Sequence, residues 1–450
     1  MTAIRELSSR PDLLAVHRGQ PAVWPFLLES AAPGGMLGRW SMLLRADLDV
    51  PPIVATTVAT HAGRRDDPES FLQRLDRAYA AERAGQPGRL PFEGGWFVYA
   101  GYELAGEIEP RLKLPPAPDG VPIAFAQRCR GALILDHDRG RLHAVAESRA
   151  LLDDIVRELA EVDSSVAASE TGSVAPVPII RPGDGERFKR GVERIREYIL
   201  AGDVFQVNLS REWRGESDGR PDAVAIYERL TQSNPAPFGG LARLPGGTVL
   251  SSSPERLVTV RDGVVSARPI AGTRPRGASP DRDRALSDEL LAHPKERAEH
   301  IMLIDLVRND LGRISRPGSV NVDELMVLES YTHVHHIVSN IRGELAAGVS
   351  PADVIRACFP GGTITGCPKV RCMEIIAELE AGGRGLYTGS MGYLGRDGRM
   401  DLNILIRSML VADDGIRFRT GAGIVADSEP EAELAETEAK ARGLMRALDP

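Results

Sequence analysis

Two pairs of glutamates stand at helical spacing in the C-terminal half of the chain. Glu296 and Glu299 lie three residues apart in HPKERAEHIMLIDLVRNDLG, and Glu433 and Glu436 have the same spacing after Pro430. Residues at i and i+3 share one face of a helix. Two carboxylates one turn apart suit a hard cation such as Mg²⁺. A solvated face with salt bridges to nearby lysines explains each pair equally well, so both interpretations stay open.

Glycine-rich turns accompany these glutamates. Gly361, Gly362 and Gly366 occur in FPGGTITGCPK, and Gly421 and Gly423 occur in GAGIVAD. Glycine allows a backbone to approach a ligand closely, and the start of a helix predicted near Pro368 would attract an anion. The phosphate-binding pattern GxxxxGK[ST] is absent. These turns therefore predict either a binding site for a non-nucleotide anion or ordinary helix caps.

Two further stretches carry polar groups in strand-like sequence. Arg407 ends MDLNILIRS, a run that is apolar on both faces, so its guanidinium needs an anionic partner. A substrate carboxylate would serve. Three histidines crowd YTHVHHIVS (331–339), although a histidine on a strand is more often structural than catalytic.

Composition excludes several classes of protein. The 450 residues are 42% hydrophobic and 26% charged with a net charge of -8, which is typical of a globular protein and unfavourable for nucleic-acid binding. No apolar run is long enough to span a membrane, and the N-terminus lacks an apolar signal region. The four cysteines form no CxxC. We expect a cytoplasmic protein with reduced thiols.

The order of predicted elements indicates an α+β fold. Strands are predicted in 38–45, 94–104, 203–213, 247–253, 256–260 and 264–270, and helices in 68–85, 187–201, 294–311 and after Pro430. Strands grouped in runs and interrupted by long helices favour α+β over a parallel sheet. Residues 161–186 are rich in Ser, Ala, Gly and Pro, so we predict a linker between an N-terminal part (1–160) and a catalytic part (187–450).

Taken together, the motifs resemble the chorismate-utilising enzymes. The resemblance is carried in order by PIAGTRPRG, HPKERAEH, DLVRNDLG, FPGGTITGCPKVRCMEIIAELE, RGLYTGSMGYL and GAGIVADSEPEAE, and it covers 187–450. The N-terminal part resembles the companion region of the family more weakly, through FLLES (26–30) and GRWSML. The resemblance implies two large packed antiparallel sheets with outer helices, chorismate as substrate and Mg²⁺ as cofactor.

The resemblance also implies roles for individual residues. Glu299 and Glu436 would bind Mg²⁺, supported by Glu296 and Glu433. Substrate binding would fall to Thr363, Tyr387, Arg407, Gly421, Gly423, Lys440 and Ala271. The catalytic group would be Glu255, His336, Gln206 and Thr273, with Glu255 protonating the departing C4 hydroxyl, a role that needs a carboxyl of raised pKa.

Gln206 in DVFQVNLSR separates the branches of this family. Isochorismate and salicylate synthases carry at this position a lysine that activates water, and a glutamine cannot deprotonate water. The resemblance therefore favours the ammonia-using branch, in which a separate glutaminase subunit supplies ammonia. None of the cysteines lies in a glycine-flanked nucleophile elbow, so the chain itself predicts no glutaminase.

The ammonia-using branch contains anthranilate synthases and aminodeoxychorismate synthases. FPGGTITG, NPAPFGG (234–240) and DLNILIRS favour the aminodeoxychorismate type, whereas Ala271 in PIAGT is the usual anthranilate synthase residue. Many aminodeoxychorismate synthases carry a lysine there. We expect aminodeoxychorismate synthase component I, with anthranilate synthase component I as the alternative. FLLES resembles the tryptophan-binding element of relatives. Tryptophan binding in the N-terminal part therefore stays open, and so does the alternative of a catalytically silent amino-acid sensor.

Overall fold

The structure, a computed structural model, describes residues 2–30, 38–57, 69–117, 120–165, 176–331 and 334–449. Its helices are α1 (Leu13–Gly19), α2 (Phe71–Glu82), α3 (Ala105–Ile108), α4 (Arg149–Ser165), α5 (Gly185–Leu200), α6 (Ala223–Ser233), α7 (Pro280–Ala292), α8 (Pro294–Gly312), α9 (Pro351–Cys358), α10 (Lys369–Leu379) and α11 (Pro430–Leu448). Short 3₁₀ turns occupy Tyr102–Leu104 and Gly362–Ile364.

The strands follow the alternating and apolar runs of the sequence. They are β1 (Ala3–Glu6), β2 (Phe26–Glu29), β3 (Trp40–Ala46), β4 (Ile53–Ala55), β5 (Gly95–Ala100), β6 (Ala124–Asp136), β7 (Arg141–Ala146), β8 (Arg181–Pro182), β9 (Gln206–Glu216), β10 (Phe238–Leu244), β11 (Gly247–Ser253), β12 (Arg256–Arg261), β13 (Val264–Ala267), β14 (Ile270–Pro275), β15 (Asn321–Ser330), β16 (Val334–Glu344), β17 (Gly366–Cys367), β18 (Ser390–Gly395), β19 (Met400–Asn403), β20 (Ser408–Ala412) and β21 (Gly415–Ile424).

Strand β6 joins two large antiparallel layers. Its second half pairs with β7 and β3 and continues through β2, β10, β11, β20, β21 and β9. Its first half pairs with β4 and β5 and continues through β18, β19, β12, β13 and β16. The predicted α+β fold with two antiparallel sheets is thereby confirmed.

An aromatic core fills the space between the two layers. The rings of Phe26 on β2 and Phe97 on β5 stack with centroids 3.9 Å apart, and Leu44, Met391 and Leu410 belong to the same buried cluster. Helices cover the outer faces: α1, α4, α6 and α11 pack on the first layer, and α2, α8 and α9 on the second. The hydrophobic burial that holds the sheets together also fixes the loops at their edges.

The linker predicted at 161–186, between an N-terminal and a catalytic part, stays a prediction. Helix α4 continues to Ser165, residues 166–175 lie outside the described residues, and α5 begins at Gly185. Strands from both predicted parts pair directly, because β5 pairs with β18 and β2 with β10. Within the described residues, no helix is both long and apolar enough to cross a membrane.

Candidate active site

Glu255 is a buried carboxyl in the short turn between β11 and β12. Its side chain is 5% exposed, and it accepts hydrogen bonds from Thr363 Oγ1 at 2.8 Å and from the backbone N–H of Ile270. Burial raises the pKa of Glu255 to about 7, although both hydrogen bonds and the charge of Arg407 lower it. A carboxyl with this pKa can hold a proton at neutral pH and release it to a leaving group.

A β-bulge in β14 directs side chains toward the region around Glu255. The register against β16 shifts between Ala271 and Thr273, and Gly272 between them has a φ of +70°, a conformation that favours glycine. Thr273 Oγ1 and His336 Nδ1 then lie 2.9 Å apart. Burial, helped by the charge of Arg407, lowers the pKa of His336 to about 4, so its imidazole is neutral at physiological pH.

Arg407 completes this group. Its guanidinium interacts electrostatically with the Glu255 carboxyl, and burial lowers its pKa. Within the part of the chain that the structure describes, no hydrogen bond or ion pair engages this guanidinium. Its backbone has a φ of +50°, an uncommon conformation for a non-glycine residue and one that occurs often at functional sites. An anion placed beside it would satisfy a cation that the fold leaves unpaired.

These residues define the acid cluster, which consists of Glu255, Thr273, His336, Thr363 and Arg407. Sequence comparison with the family predicts all of them as site residues, and the structure brings them together. Ala271 lies next to it, because its neighbour Ile270 donates to Glu255. Of the three histidines in YTHVHHIVS, His333 lies outside the described residues.

A second group of predicted residues, the tyrosine cluster, comprises Tyr387, Gly421, Glu436 and Lys440. Lys440 Nζ donates to the carbonyl of Gly421 at 2.9 Å and forms an ion pair with Glu436 at 2.6 Å. A Cβ on Gly421 would lie 2.7 Å from the Tyr387 hydroxyl, so only glycine leaves that hydroxyl accessible beside the strand. Burial raises the pKa of Tyr387 to about 12 and keeps it a hydrogen-bond donor.

Gln206 opens β9 beside the tyrosine cluster. A Cβ on Gly423 would lie 2.3 Å from Gln206 Nε2, which explains the glycine at that position. Two residues along the strand, and therefore on the same face, Asn208 points its side-chain oxygen within 3.0 Å of the position of a Cβ on Gly421. The side-chain oxygens of Gln206 and Asn208 are buried without a hydrogen-bond partner among the described residues. Such oxygens are available to a ligand. Asn208 was not predicted, although its period-two spacing from Gln206 could have revealed it.

The segment from Gly361 to Cys367 links the two clusters. Thr363 bonds to Glu255 at one end, and Gly366 and Cys367 pair with Val207 and Gln206 at the other. Arg384, which was also not predicted, holds this arrangement together. Its guanidinium donates to the carbonyl oxygens of Ile364 at 3.0 Å and Asn208 at 2.7 Å.

The carboxylates predicted to bind the metal lie on two different helices, α8 and α11. On α8, Glu296 forms an ion pair with Arg274 at 3.1 Å; on α11, Glu436 pairs with Lys440 and influences the pKa of Tyr387. Among the described residues, no group of three or more His, Cys, Asp or Glu side chains is gathered as a metal cluster. Mg²⁺ takes only one or two protein carboxylates directly, so hard oxygen donors from the two helices fit the ion chemically.

A separate cavity of about 800 Å³ lies beside β2 and β10. Leu28 and Glu29 of the FLLES stretch line it together with Phe238 and Met391. The Tyr227 hydroxyl donates to Glu29 at 2.9 Å, and burial raises the pKa of Glu29. This cavity is distinct from both clusters.

Comparison with known proteins agrees with this arrangement. A model of the chorismate binding enzyme family matches residues 46–446. Anthranilate synthase component 1 of Cereibacter sphaeroides is 38% identical over 94% of this chain and 89% of its own length. Aminodeoxychorismate synthase component 1 of Bacillus subtilis is 47% identical over 65% of this chain and 61% of its own length.

A solved structure, anthranilate synthase component I of Streptococcus pneumoniae, superposes with a TM-score of 0.79 at 31% identity, covering 91% of this chain and 93% of that one. The chain therefore belongs to the chorismate-binding enzymes. It is an enzyme acting on chorismate, of the anthranilate and aminodeoxychorismate synthase component I type.

Proposed function

We propose that this protein is aminodeoxychorismate synthase component I, converting chorismate and ammonia to 4-amino-4-deoxychorismate for 4-aminobenzoate and folate synthesis. The supporting observation is that three motifs of this type interlock. A Cβ on Gly361 of FPGGT would lie 2.9 Å from Cδ1 of Ile404 in DLNILIRS, so the first glycine of FPGGT leaves room for that isoleucine. Asn403 of the same stretch donates to the carbonyl of Phe238 in NPAPFGG at 2.9 Å. The three stretches thus form one packing unit beside Glu255.

The acid cluster supports displacement at C4. Arg407 would bind the enolpyruvyl carboxylate together with Tyr387, because a partly buried guanidinium without a protein partner favours a bidentate anion. Protonated Glu255 gives its proton to the C4 hydroxyl, the C4–O bond breaks and water leaves. Ammonia forms the C4–N bond, and the excess proton on nitrogen returns to the Glu255 carboxylate. Neutral His336, held by Thr273, can orient polar groups of the substrate without adding charge.

Mg²⁺ would be held by Glu299 and Glu436, with Glu296 and Glu433 as supporting carboxylates. When bound, the ion supplies positive charge that neutralises the ring carboxylate of chorismate. Gly421, Gly423 and Lys440 would contact the substrate from the side of the tyrosine cluster, and Thr363 would contact it beside Glu255.

Ammonia is proposed to come from a separate glutaminase subunit. Gln206 carries no general base that could activate water, and its unpaired amide oxygen can accept an N–H group. This chemistry favours ammonia over water as nucleophile.

Product analysis tests the proposal. The purified chain is incubated with chorismate, Mg²⁺ and ammonium, and the products are separated by chromatography and identified by mass. We expect 4-amino-4-deoxychorismate, which a 4-aminobenzoate-forming lyase then converts to 4-aminobenzoate. Isochorismate as the main product would contradict the choice of ammonia.

Anthranilate synthase component I is the second candidate, favoured by Ala271 and by the names of several relatives. Fluorescent anthranilate formed without a lyase would establish it instead. Ala271→Lys gives a further test, because an amine at this buried position would lie beside the acid cluster. A covalent substrate adduct on that peptide during turnover, absent from the unaltered protein, would support a pocket at Ala271.

We also propose an amino-acid ligand, tryptophan, for the cavity at Leu28 and Glu29. A partly buried carboxylate beside the apolar side chains of Leu28, Phe238 and Met391 suits an ammonium group attached to an aromatic side chain. Tryptophan should raise the thermal unfolding temperature of the unaltered protein but not of Glu29→Gln. Equal stabilisation of both proteins would reject this site.

A further inference from the structure

Two cavities border the segment Phe359–Thr363. A wide cavity of about 850 Å³ is lined by one face of α8, by Phe359 and by the first turn of α10. A narrow cavity of about 20 Å³ is lined by Gly361, Gly362, Thr363 and Glu255. Phe359 therefore lines the wide cavity, and residues 361–363 line the narrow cavity, which ends at the acid cluster.

Asp310 lines both cavities, so the two cavities share a bordering residue. It makes an ion pair with Lys369 at 2.6 Å, and the two side chains are only 9% and 14% exposed. Lys369 lines the wide cavity, where its flexible stem has room to turn. Neither residue belongs to the acid or tyrosine cluster, and the chemistry proposed above assigns no role to this ion pair.

The narrow cavity has the size of one small polar molecule. A volume of about 20 Å³ is enough for one water-sized molecule and far too small for chorismate. Carboxyl groups of Glu255 and Asp310 border it, and Val307 and Leu257 supply apolar wall. Ammonia has the size of water and donates hydrogen bonds to such oxygens.

We infer that the narrow cavity is the passage by which ammonia reaches the acid cluster from the wide cavity, with the Asp310–Lys369 pair as its outer wall. This inference rests on the proposed use of ammonia. It also accounts for attack at C4 in a protein that has alanine at position 271, because the passage ends beside Glu255, the group proposed to protonate the C4 hydroxyl.

Val307 offers a test that leaves the acid cluster intact. It lies on α8, lines the narrow cavity and is a buried core residue. Val307→Leu adds one methylene to a space that holds one small molecule. We expect the KM for ammonium to rise about tenfold while the KM for chorismate stays constant. Val307→Ala widens the passage, so methylamine should become a nucleophile and yield the N-methylated product.

Val354→Leu is the matched control, since Val354 is a buried valine of the same core that does not line the narrow cavity. It should leave the KM for ammonium unchanged. If Val307→Leu does not fold, Val307→Ala decides the question through methylamine use. An unchanged ammonium KM in folded Val307→Leu, or rejection of methylamine by Val307→Ala, would overturn the passage. Absence of any ammonium-dependent chorismate consumption in the unaltered protein would instead refute the proposed function.

Discussion

Two arginines close to the candidate site, the buried Arg384 and the partly exposed Arg407, have opposite surroundings. Arg384 is 3% exposed and is fully engaged, donating to both carboxylate oxygens of Glu380 at 2.7 and 3.1 Å and to two backbone carbonyls. The backbone carbonyl of Arg407 accepts a hydrogen bond from Ser252, but no described residue forms a hydrogen bond or ion pair with its guanidinium. The charge of Glu380 and its hydrogen bonds raise the pKa of Arg384, although burial opposes this, while burial lowers the pKa of Arg407.

Arg384 is therefore a cation that stabilises the fold, whereas the guanidinium of Arg407 is available to bind a ligand. A paired buried charge is costly to disturb because removing one partner leaves the other unsolvated. A partly buried charge without a partner loses some of its hydration on folding and is retained where function needs it. Variants of the two residues should therefore affect different measurements.

The largest effect is expected for Arg384→Met. Loss of the guanidinium leaves Glu380 with Arg419 as its remaining ion-pair partner and frees the carbonyl oxygens of Ile364 and Asn208. The free energy of unfolding should fall by about 3–5 kcal/mol, measured by urea denaturation. Arg128, buried and paired with Glu82 and Glu147, is the matched control.

Arg128→Met should lose comparable stability but keep the KM for chorismate, because Arg128 lies in the N-terminal part, away from both clusters. Arg384→Met should also raise that KM. Equal KM values in the two folded variants would show that Arg384 does not position the site.

The second effect concerns Arg407→Gln. Removing an unpaired, partly buried cation should leave the free energy of unfolding unchanged or higher, while chorismate binding loses charge-assisted hydrogen bonds of about 1.5–3 kcal/mol, or roughly 10- to 100-fold in affinity. Equilibrium binding of chorismate, measured by calorimetry beside urea denaturation, checks both parts. A variant that unfolds more easily yet binds normally would place Arg407 with Arg384 as a structural residue.

A smaller effect concerns the partner of Arg407. The pKa of Glu255 is about 7 in the folded protein against an ordinary value of 4.5, so the folded state binds its proton more tightly. Stability should therefore fall as pH rises from 4.5 through 7 and then level off, by about 1–3 kcal/mol in total.

In Glu255→Gln this decline should disappear, because the amide does not titrate. In Arg407→Gln it should extend to higher pH, since Arg407 lowers the pKa of Glu255. Thermal unfolding temperatures of the three proteins across this pH range measure the effect. Parallel curves for Glu255→Gln and the unaltered protein would contradict the raised pKa.

The smallest effect is expected for an exposed arginine. Arg194 pairs with Glu197 one turn along α5, and both side chains are exposed. Exposed pairs within a helix contribute little because solvent screens them. Arg194→Gln should change neither the unfolding temperature nor the KM for chorismate, and a clear change in either would weaken burial as the basis of the comparison.

Sequence patterns predicted the long elements well. The helix expected at 294–311 is observed at Pro294–Gly312, and the strands expected at 256–260 and 264–270 overlap β12 and β13, which an Asp262-Gly263 turn with positive φ at both residues joins. Both follow from local rules, namely helical spacing after an N-terminal proline and the turn preference of an Asp-Gly pair. The acid cluster was predicted only through resemblance to a family, since no spacing relates Glu255 to Thr363 or to His336.

By itself the sequence determined which residues could do chemistry and which elements would carry them, because periodicity, caps and turns act over a few residues. The tertiary structure alone decided which buried charges would be paired. Arg384 and Arg407 both stand near apolar runs, yet only folding brings Glu380 against one and leaves the other with an electrostatic neighbour. It also decided that Asp310 borders two cavities. Pairing across the sheets depends on packing between residues far apart in the chain, which no local pattern records.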